Sequence, residues 1–153
     1  MSDSSFDADT FLNMSIDSSM EIRYTPVPKG DYTAHIDGIA VRKLPGEDGG
    51  VLLDVTYQVH DAAVEASLGL EKVLVRQGIF LDVEKNGALQ LGPNKNIKLA
   101  RLREALGQNN AGRSWKFSDL VGAGPLKISL EIEPDKKDPD TLYNRVTKTH
   151  PLS

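Results

Sequence analysis

The sequence contains no cysteine and lacks the usual signatures of a catalytic or metal site. Without cysteine, disulfides, thiolate metal sites and a cysteine nucleophile are excluded. The three histidines stand far apart in the sequence, and no nucleophile elbow, phosphate-binding loop or paired-histidine motif occurs. We therefore predict a binding protein rather than an enzyme, with no catalytic residues, no metal and no cofactor.

Long apolar runs are also missing. No segment approaches the roughly 18 consecutive apolar residues of a membrane-spanning helix. The N-terminus lacks the basic start and the apolar stretch of a secretory signal. These two absences predict a protein with no membrane partner that stays in the cytoplasm.

Basic residues are absent from the start of the chain. Five acidic residues and no basic one precede Arg23, although the net charge of the whole chain is only -4. The rest of the chain is therefore close to neutral, with 17 acidic and 18 basic residues. Residues 85–118 are strongly basic, with seven lysines and arginines against Glu104 alone. Such a stretch is typical of a surface that meets an anionic partner.

The length and local composition predict one domain with an N-terminal extension. Residues 1–21 are rich in serine and aspartate, and we interpret them as an acidic, flexible arm. Residues 22–153 have the size of one ordinary domain. Scattered apolar residues would allow the arm to dock on a surface: Phe6, Phe11, Leu12 and Ile16.

The apolar periodicity predicts five strands and one main helix. Alternation with period two indicates strands at 31–41, with Gly38 at a bulge, and at 51–60, 73–83, 125–133 and 142–150. Between the third and fourth strands, Leu99, Leu102 and Leu106 share one helical stripe. Asn96 is the predicted N-cap and Gly107 the predicted C-cap of this helix.

This element order predicts a mostly β protein with an OB-fold, a five-stranded antiparallel barrel whose helix lies between strands 3 and 4. An antiparallel sandwich with one crossover helix is the competing architecture. In an OB-fold the ligand lies across strands 2 and 3, between the loop joining strands 1 and 2 and the loop joining strands 4 and 5.

Single-stranded nucleic acid needs cations for its phosphates and flat side chains on which its bases stack. The sequence offers such residues at all three parts of the predicted OB-fold site. They are Arg42 and Lys43 at the first loop, Arg76 and Phe80 on the outer face of the third strand, and Lys136 and Lys137 at the second loop.

A second group of candidate nucleic-acid-binding residues lies on and after the predicted helix. Its members are Lys95, Lys98, Arg101, Arg113, Trp115 and Lys116. A solvated helical face explains the helical cations nearly as well as a DNA path does. Trp115 and Phe117 interleave with cations as base stacking requires, but the single tryptophan of a small domain more often packs in the core. Phe80 has the same two interpretations.

The Asp135, Asp138 and Asp140 cluster is the remaining candidate for chemistry. It lacks the glycine and the bidentate glutamate of a calcium loop. Lysines and prolines flank it, and we interpret it as a solvated hairpin loop.

Four short motifs resemble a phage family. They are Pro-x-Pro-Lys-Gly-Asp-Tyr-Thr-Ala-x-Ile at 26–36, Leu-Arg-Glu-Ala-Leu-Gly at 102–107, Asp-Leu-Val-Gly followed by Pro-Leu-Lys-Ile at 119–128, and Tyr-Asn-x-Val at 143–146. Together they are similar to phage single-stranded DNA-binding proteins with an OB-like core, long regarded as a phage family of unknown function. The resemblance spans residues 22–150. It implies a role in replication or recombination in the host cytoplasm, and it transfers no catalytic residue.

The sequence leaves two principal functions open. The first is a sequence-tolerant single-stranded DNA-binding protein of a phage, whose acidic arm binds replication or recombination proteins or occupies its own DNA groove. The alternative is an OB-like protein-interaction module with little DNA affinity, which the acidic net charge favours. A nuclease accessory or inhibitor is a third, weaker hypothesis. The oligomeric state is not determined by the sequence.

Overall fold

The computed structural model of the chain describes residues 6–46 and 50–152. The rest of the arm and residues 47–49 of the predicted first loop lie outside the described residues. In chain order the elements are α1 (Ala8–Leu12), β1 (Gly30–Lys43), β2 (Val51–Val59), α2 (Ala62–Leu68), β3 (Val73–Leu81), α3 (Ile97–Ala105), a 3-10 turn (Phe117–Leu120), β4 (Leu126–Pro134) and β5 (Leu142–His150).

All five strands belong to one antiparallel sheet with the order β3-β2-β1-β4-β5. The mostly β class, the five antiparallel strands and the helix between the third and fourth strands are therefore confirmed. The predicted bulge is present, since the register of β1 against β2 shifts between Ile36 and Gly38. Asp37 is the extra residue, and its carboxylate lies 2.8 Å from Lys72 Nζ.

The sheet is not closed into a hydrogen-bonded barrel. In the part of the chain that the structure describes, β3 pairs with β2 alone and β5 with β4 alone. The two outer strands nevertheless approach each other, with Cα atoms within 8 Å. The sheet therefore curls around the core but keeps two unpaired edges that face each other.

The inner face of the sheet carries the hydrophobic core. Alternate residues of β1, β2 and β3 are buried, as period-two alternation requires. Leu99, Leu102 and Ala105 of α3 pack against the same core. Tyr57 is fully buried there, and its hydroxyl donates to Gln77 Oε1 at 2.6 Å. Burial raises the pKa of Tyr57 well above its ordinary value, so the hydroxyl stays neutral.

Asn96 precedes α3 as predicted, but its side chain does not cap the helix. Asn96 has a left-handed backbone, with φ 52°, and is buried. Its Oδ1 accepts from Asp82 N at 2.7 Å, and its Nδ2 donates to Asp82 O at 3.1 Å and Gln90 O at 2.8 Å. The predicted N-cap position of Asn96 is therefore confirmed, but its side-chain amide binds the backbone that follows β3 instead of the first turn of the helix.

None of the helices among the described residues combines the length and the apolar character needed to cross a membrane.

Replacing Asn96 by alanine tests this buried contact. We expect Asn96→Ala to lower the free energy of unfolding by about 3 kcal/mol, because it leaves buried backbone groups unpaired and places alanine in a left-handed conformation. Urea denaturation measures the loss. Asn94→Ala is the matched control, since Asn94 is also left-handed, with φ 63°, but is exposed. Its expected loss is about 1 kcal/mol, and equal losses would contradict a contribution from the Asn96 amide.

Candidate functional site

A half-open groove of about 890 Å³ runs between the two unpaired sheet edges. One wall is residues 72–78 at and before β3, and the opposite wall is residues 141–146 at and before β5. Residues 24–27, which join the arm to the domain, also line it. We call this the β3–β5 groove.

Two sets of hydrogen bonds hold the linking segment in place. Val27 N donates to Asn144 Oδ1, and Asn144 Nδ2 donates to Val27 O, both at 2.8 Å. Arg23 Nε donates to Thr141 Oγ1 at 2.9 Å, and Arg23 also pairs with Asp138 at 3.3 Å. The Thr141 hydroxyl, and secondarily Arg23, lower the pKa of the Asp138 carboxyl. Segment 24–27 is thus anchored at both of its ends.

The Asp135 to Asp140 loop is a hairpin turn in the structure. Asp135 Oδ1 accepts from Lys137 N at 2.7 Å, and Asp138 is engaged by Thr141 and Arg23. Within the described residues, no group of three or more histidine, aspartate or glutamate side chains is arranged to hold a metal ion.

The charged residues in the described lining of the groove are all cationic. Four of its lining residues are cationic, and no aspartate or glutamate is among the lining residues that the structure describes. The cations are Lys72, Arg76, Lys98 and Arg145. A concave surface with only positive charge concentrates anions near it.

Two of these cations form ion pairs with carboxylates that are not among the lining residues of the groove. Lys72 pairs with Asp37 on β1, and Arg145 Nη1 lies 2.8 Å from Glu133 on β4. The Arg145 hydrogen bond lowers the pKa of Glu133, so this carboxylate stays ionised at neutral pH. Arg76 and Lys98 are exposed and form no ion pair with any described residue. They are therefore available to an anionic ligand.

Aromatic and aliphatic side chains stand beside these cations. Tyr24 is 90% exposed, and Tyr143 is 42% exposed with its hydroxyl donating to Glu133 Oε1 at 3.2 Å. Three exposed leucines complete the apolar lining: Leu70, Leu74 and Leu142. Two accessible phenol rings in a groove that also carries unpaired cations are suited to an unpaired base and its phosphate.

The outer face of β3 extends the groove surface. Arg76 and Phe80 point away from the core, and Phe80 is 68% exposed. They are about 13 Å apart along the strand. The sheet register places Phe80 beside Leu52 and Leu52 beside Arg42. Arg42, Arg76 and Phe80 of the predicted set thus lie on the outer face of the sheet, where Arg42 pairs with Asp54 at 3.0 Å.

Of the remaining predicted residues, one lines the groove and the others lie outside its lining. Lys98 lines it, and Arg101 follows one turn later on α3. None of the others is among the lining residues. Lys43 ends β1, Lys95 precedes α3, Arg113 and Lys116 lie between α3 and the 3-10 turn, and Lys136 and Lys137 lie in the loop before β5.

Trp115 is half-buried and packs against the core. Its Nε1 donates to Gln108 Oε1 at 2.9 Å, and the Arg103 guanidinium lies 4.3 Å from the ring centre. The Phe117 ring meets it edge-on at 5.0 Å. These contacts favour the packing interpretation of Trp115 over base stacking.

Sequence reasoning missed several residues at the site. Tyr24 and Arg145 belong to no candidate set, and Tyr143 and Asn144 entered only as a short motif.

His35 and His60, which are not among the groove's lining residues, are also close in space, with Nδ1 and Nε2 2.6 Å apart and stacked rings. Sequence separation hid this pair, because antiparallel pairing of β1 with β2 brings distant residues together.

A scan against protein-family models finds no matching family, and a search of curated proteins finds no relative.

The anchor of the groove wall can be tested by substitution at Asn144. We expect Asn144→Ala to speed hydrogen exchange at the Val27 amide, because it removes both hydrogen bonds between Asn144 and Val27. Asn144→Asp is the matched control, since a carboxylate still accepts from Val27 N. Amide exchange followed by NMR measures both variants. Unchanged protection of Val27 in Asn144→Ala would show that the side chain does not anchor the segment.

Proposed function

We propose that the chain is a sequence-tolerant single-stranded DNA-binding protein that holds the strand in the β3–β5 groove and on the outer face of β3. One observation carries this proposal. In a chain of net charge -4, the described lining of the β3–β5 groove has four cations and no carboxylate. Such segregation of charge supports binding of a polyanion, which the net charge alone argues against.

The chemistry of the surface suits an unpaired strand better than a duplex. Arg76 and Lys98 would neutralise phosphates, while Tyr24 and Tyr143 offer faces for bases that are free to stack. Phe80 offers a further ring at the far end of the same face. No part of this recognition depends on the identity of a base, because every base has a π-face.

The topology supports the same proposal. Strand order β3-β2-β1-β4-β5 is the order of an OB barrel opened between its third and fifth strands. An OB-like identity, membership of the phage family suggested by the four motifs, and a role in replication or recombination are parts of this proposal.

A protein-interaction module is the second candidate, and a specific feature favours it. The unpaired edges of β3 and β5 could accept an added strand, and exposed Leu74 and Leu142 would provide its apolar contacts. This function predicts a peptide ligand and no appreciable DNA affinity.

Charge reversal in the groove tests the DNA-binding proposal. We expect affinity for a labelled oligothymidine to fall steeply with salt, and Arg76→Glu and Lys98→Glu each to flatten the salt dependence by about one phosphate contact. Fluorescence anisotropy at several salt concentrations measures both effects. Lys136→Glu with Lys137→Glu tests the predicted second loop in the same way.

Lys85→Glu and Lys148→Glu are matched controls, because they change the net charge equally at exposed positions outside the groove. They are expected to retain the salt dependence of the parent protein. Absence of binding at low salt, or equal losses in groove and control variants, would favour the interaction module.

Base stacking is tested separately with Tyr24→Ala and Tyr143→Ala. Each is expected to weaken binding by about 1–3 kcal/mol at any salt concentration, because stacking is not an electrostatic contact with phosphate. Tyr→Phe at the same positions keeps the ring and should retain affinity. Equal losses for alanine and phenylalanine would place the bases elsewhere.

A further inference from the structure

The N-terminal arm exposes an unusual density of apolar side chains. Six large apolar residues of the arm are exposed: Phe6, Phe11, Leu12, Met14, Ile16 and Met20. The hydrogen bonds of residues 6–21 in the structure all join arm residues to one another. A segment that leaves this much apolar surface in water is typical of an interaction element.

The arm and the β3–β5 groove are complementary in charge and in polarity. The arm has five acidic residues and no basic one, whereas the described groove lining has four basic residues and no acidic one. Both surfaces also carry exposed apolar side chains, including Leu12 on the arm and Leu74 in the groove. Opposite charges around matching apolar patches are what a specific contact requires.

The arm leaves the protein at the end of the groove wall. Arg23 is fixed to Thr141 and Asp138, and from there the chain to Val27 itself forms part of the lining. The described arm lies away from its own groove, with every residue exposed. Extended, with its short helix α1, residues 6–21 reach about 40 Å, far enough to contact another molecule.

We propose that the arm of one copy docks in the β3–β5 groove of a second copy. The contact is head-to-tail, because the surface that donates differs from the surface that accepts. Such a contact joins copies either in a closed dimer or ring or in an open chain, and screening by salt weakens it. This inference does not depend on the proposed function, since it requires no nucleic acid.

Sedimentation and light scattering of the full chain without nucleic acid test the proposal. The average mass should rise with protein concentration at low salt and return toward that of a monomer at high salt. Two full-chain variants should lose this rise: an arm variant with Asp9→Lys and Asp17→Lys, and a groove variant with Arg76→Glu and Lys98→Glu. The side chains of Asp9 and Asp17 make no hydrogen bond to any residue that the structure describes, so folding should be unaffected.

Mixing the two variants provides the decisive measurement. The unaltered arm of the groove variant fits the unaltered groove of the arm variant, so the two variants should form a complex with each other although neither associates with itself. Lys85→Glu with Lys148→Glu should associate like the parent protein. A monomeric parent at every concentration, association that survives both double substitutions, or a mixture that stays monomeric would overturn the proposal. A monomer whose arm variant binds DNA more tightly would show instead that the arm occupies its own groove.

Discussion

The structure depends on two strand edges that approach each other without hydrogen bonding. A closed barrel would satisfy the backbone groups of β3 and β5 by pairing them, whereas here each of the two has one partner strand among the described residues. The amide of Asn144 instead binds the backbone of Val27 and attaches the linking segment beside β5. The groove lies between these two edges, and the segment that Asn144 holds forms part of its lining.

The distribution of charge matters more for this protein than its total. The arm has five acidic residues and no basic one, and the carboxylates that bind residues of the groove, those of Asp37, Glu133 and Asp138, are not among its described lining residues. Electrostatic forces weaken with distance and with salt. An anionic ligand in the groove is therefore attracted by the nearby cations more strongly than it is repelled by the distant carboxylates. An acidic chain can therefore present a strongly basic binding surface.

The same groove would serve two anionic ligands, a DNA strand and an acidic arm. Competition between them would couple self-association to DNA binding, since each ligand occupies Arg76 and Lys98. The apolar contacts would differ, because bases would stack on Tyr24 and Tyr143 while the arm would bring aliphatic side chains as well as phenylalanines. Substitution of the aromatic residues of the groove would therefore distinguish DNA binding from binding of the arm.

The sequence by itself determined the elements and their buried faces. Period-two alternation predicted all five strands, with the limits of β5 correct to the residue, because one face of each strand must be apolar to enclose a core. The stripe of Leu99 and Leu102 likewise predicted α3 and its buried side. The alternation of β3 also identified Arg76 and Phe80 as outward-facing, since residues of a strand alternate between its two faces.

Only the tertiary structure decided what those outward-facing residues meet. No local pattern shows that the sheet stays open, that Asn144 binds Val27 or that His35 lies against His60, since these contacts join residues far apart in the chain. The groove is likewise assembled from strands at opposite ends of the sheet order, so its lining could not be read from one segment. Periodicity reports which face of a strand is buried, whereas a site depends on which faces and edges meet.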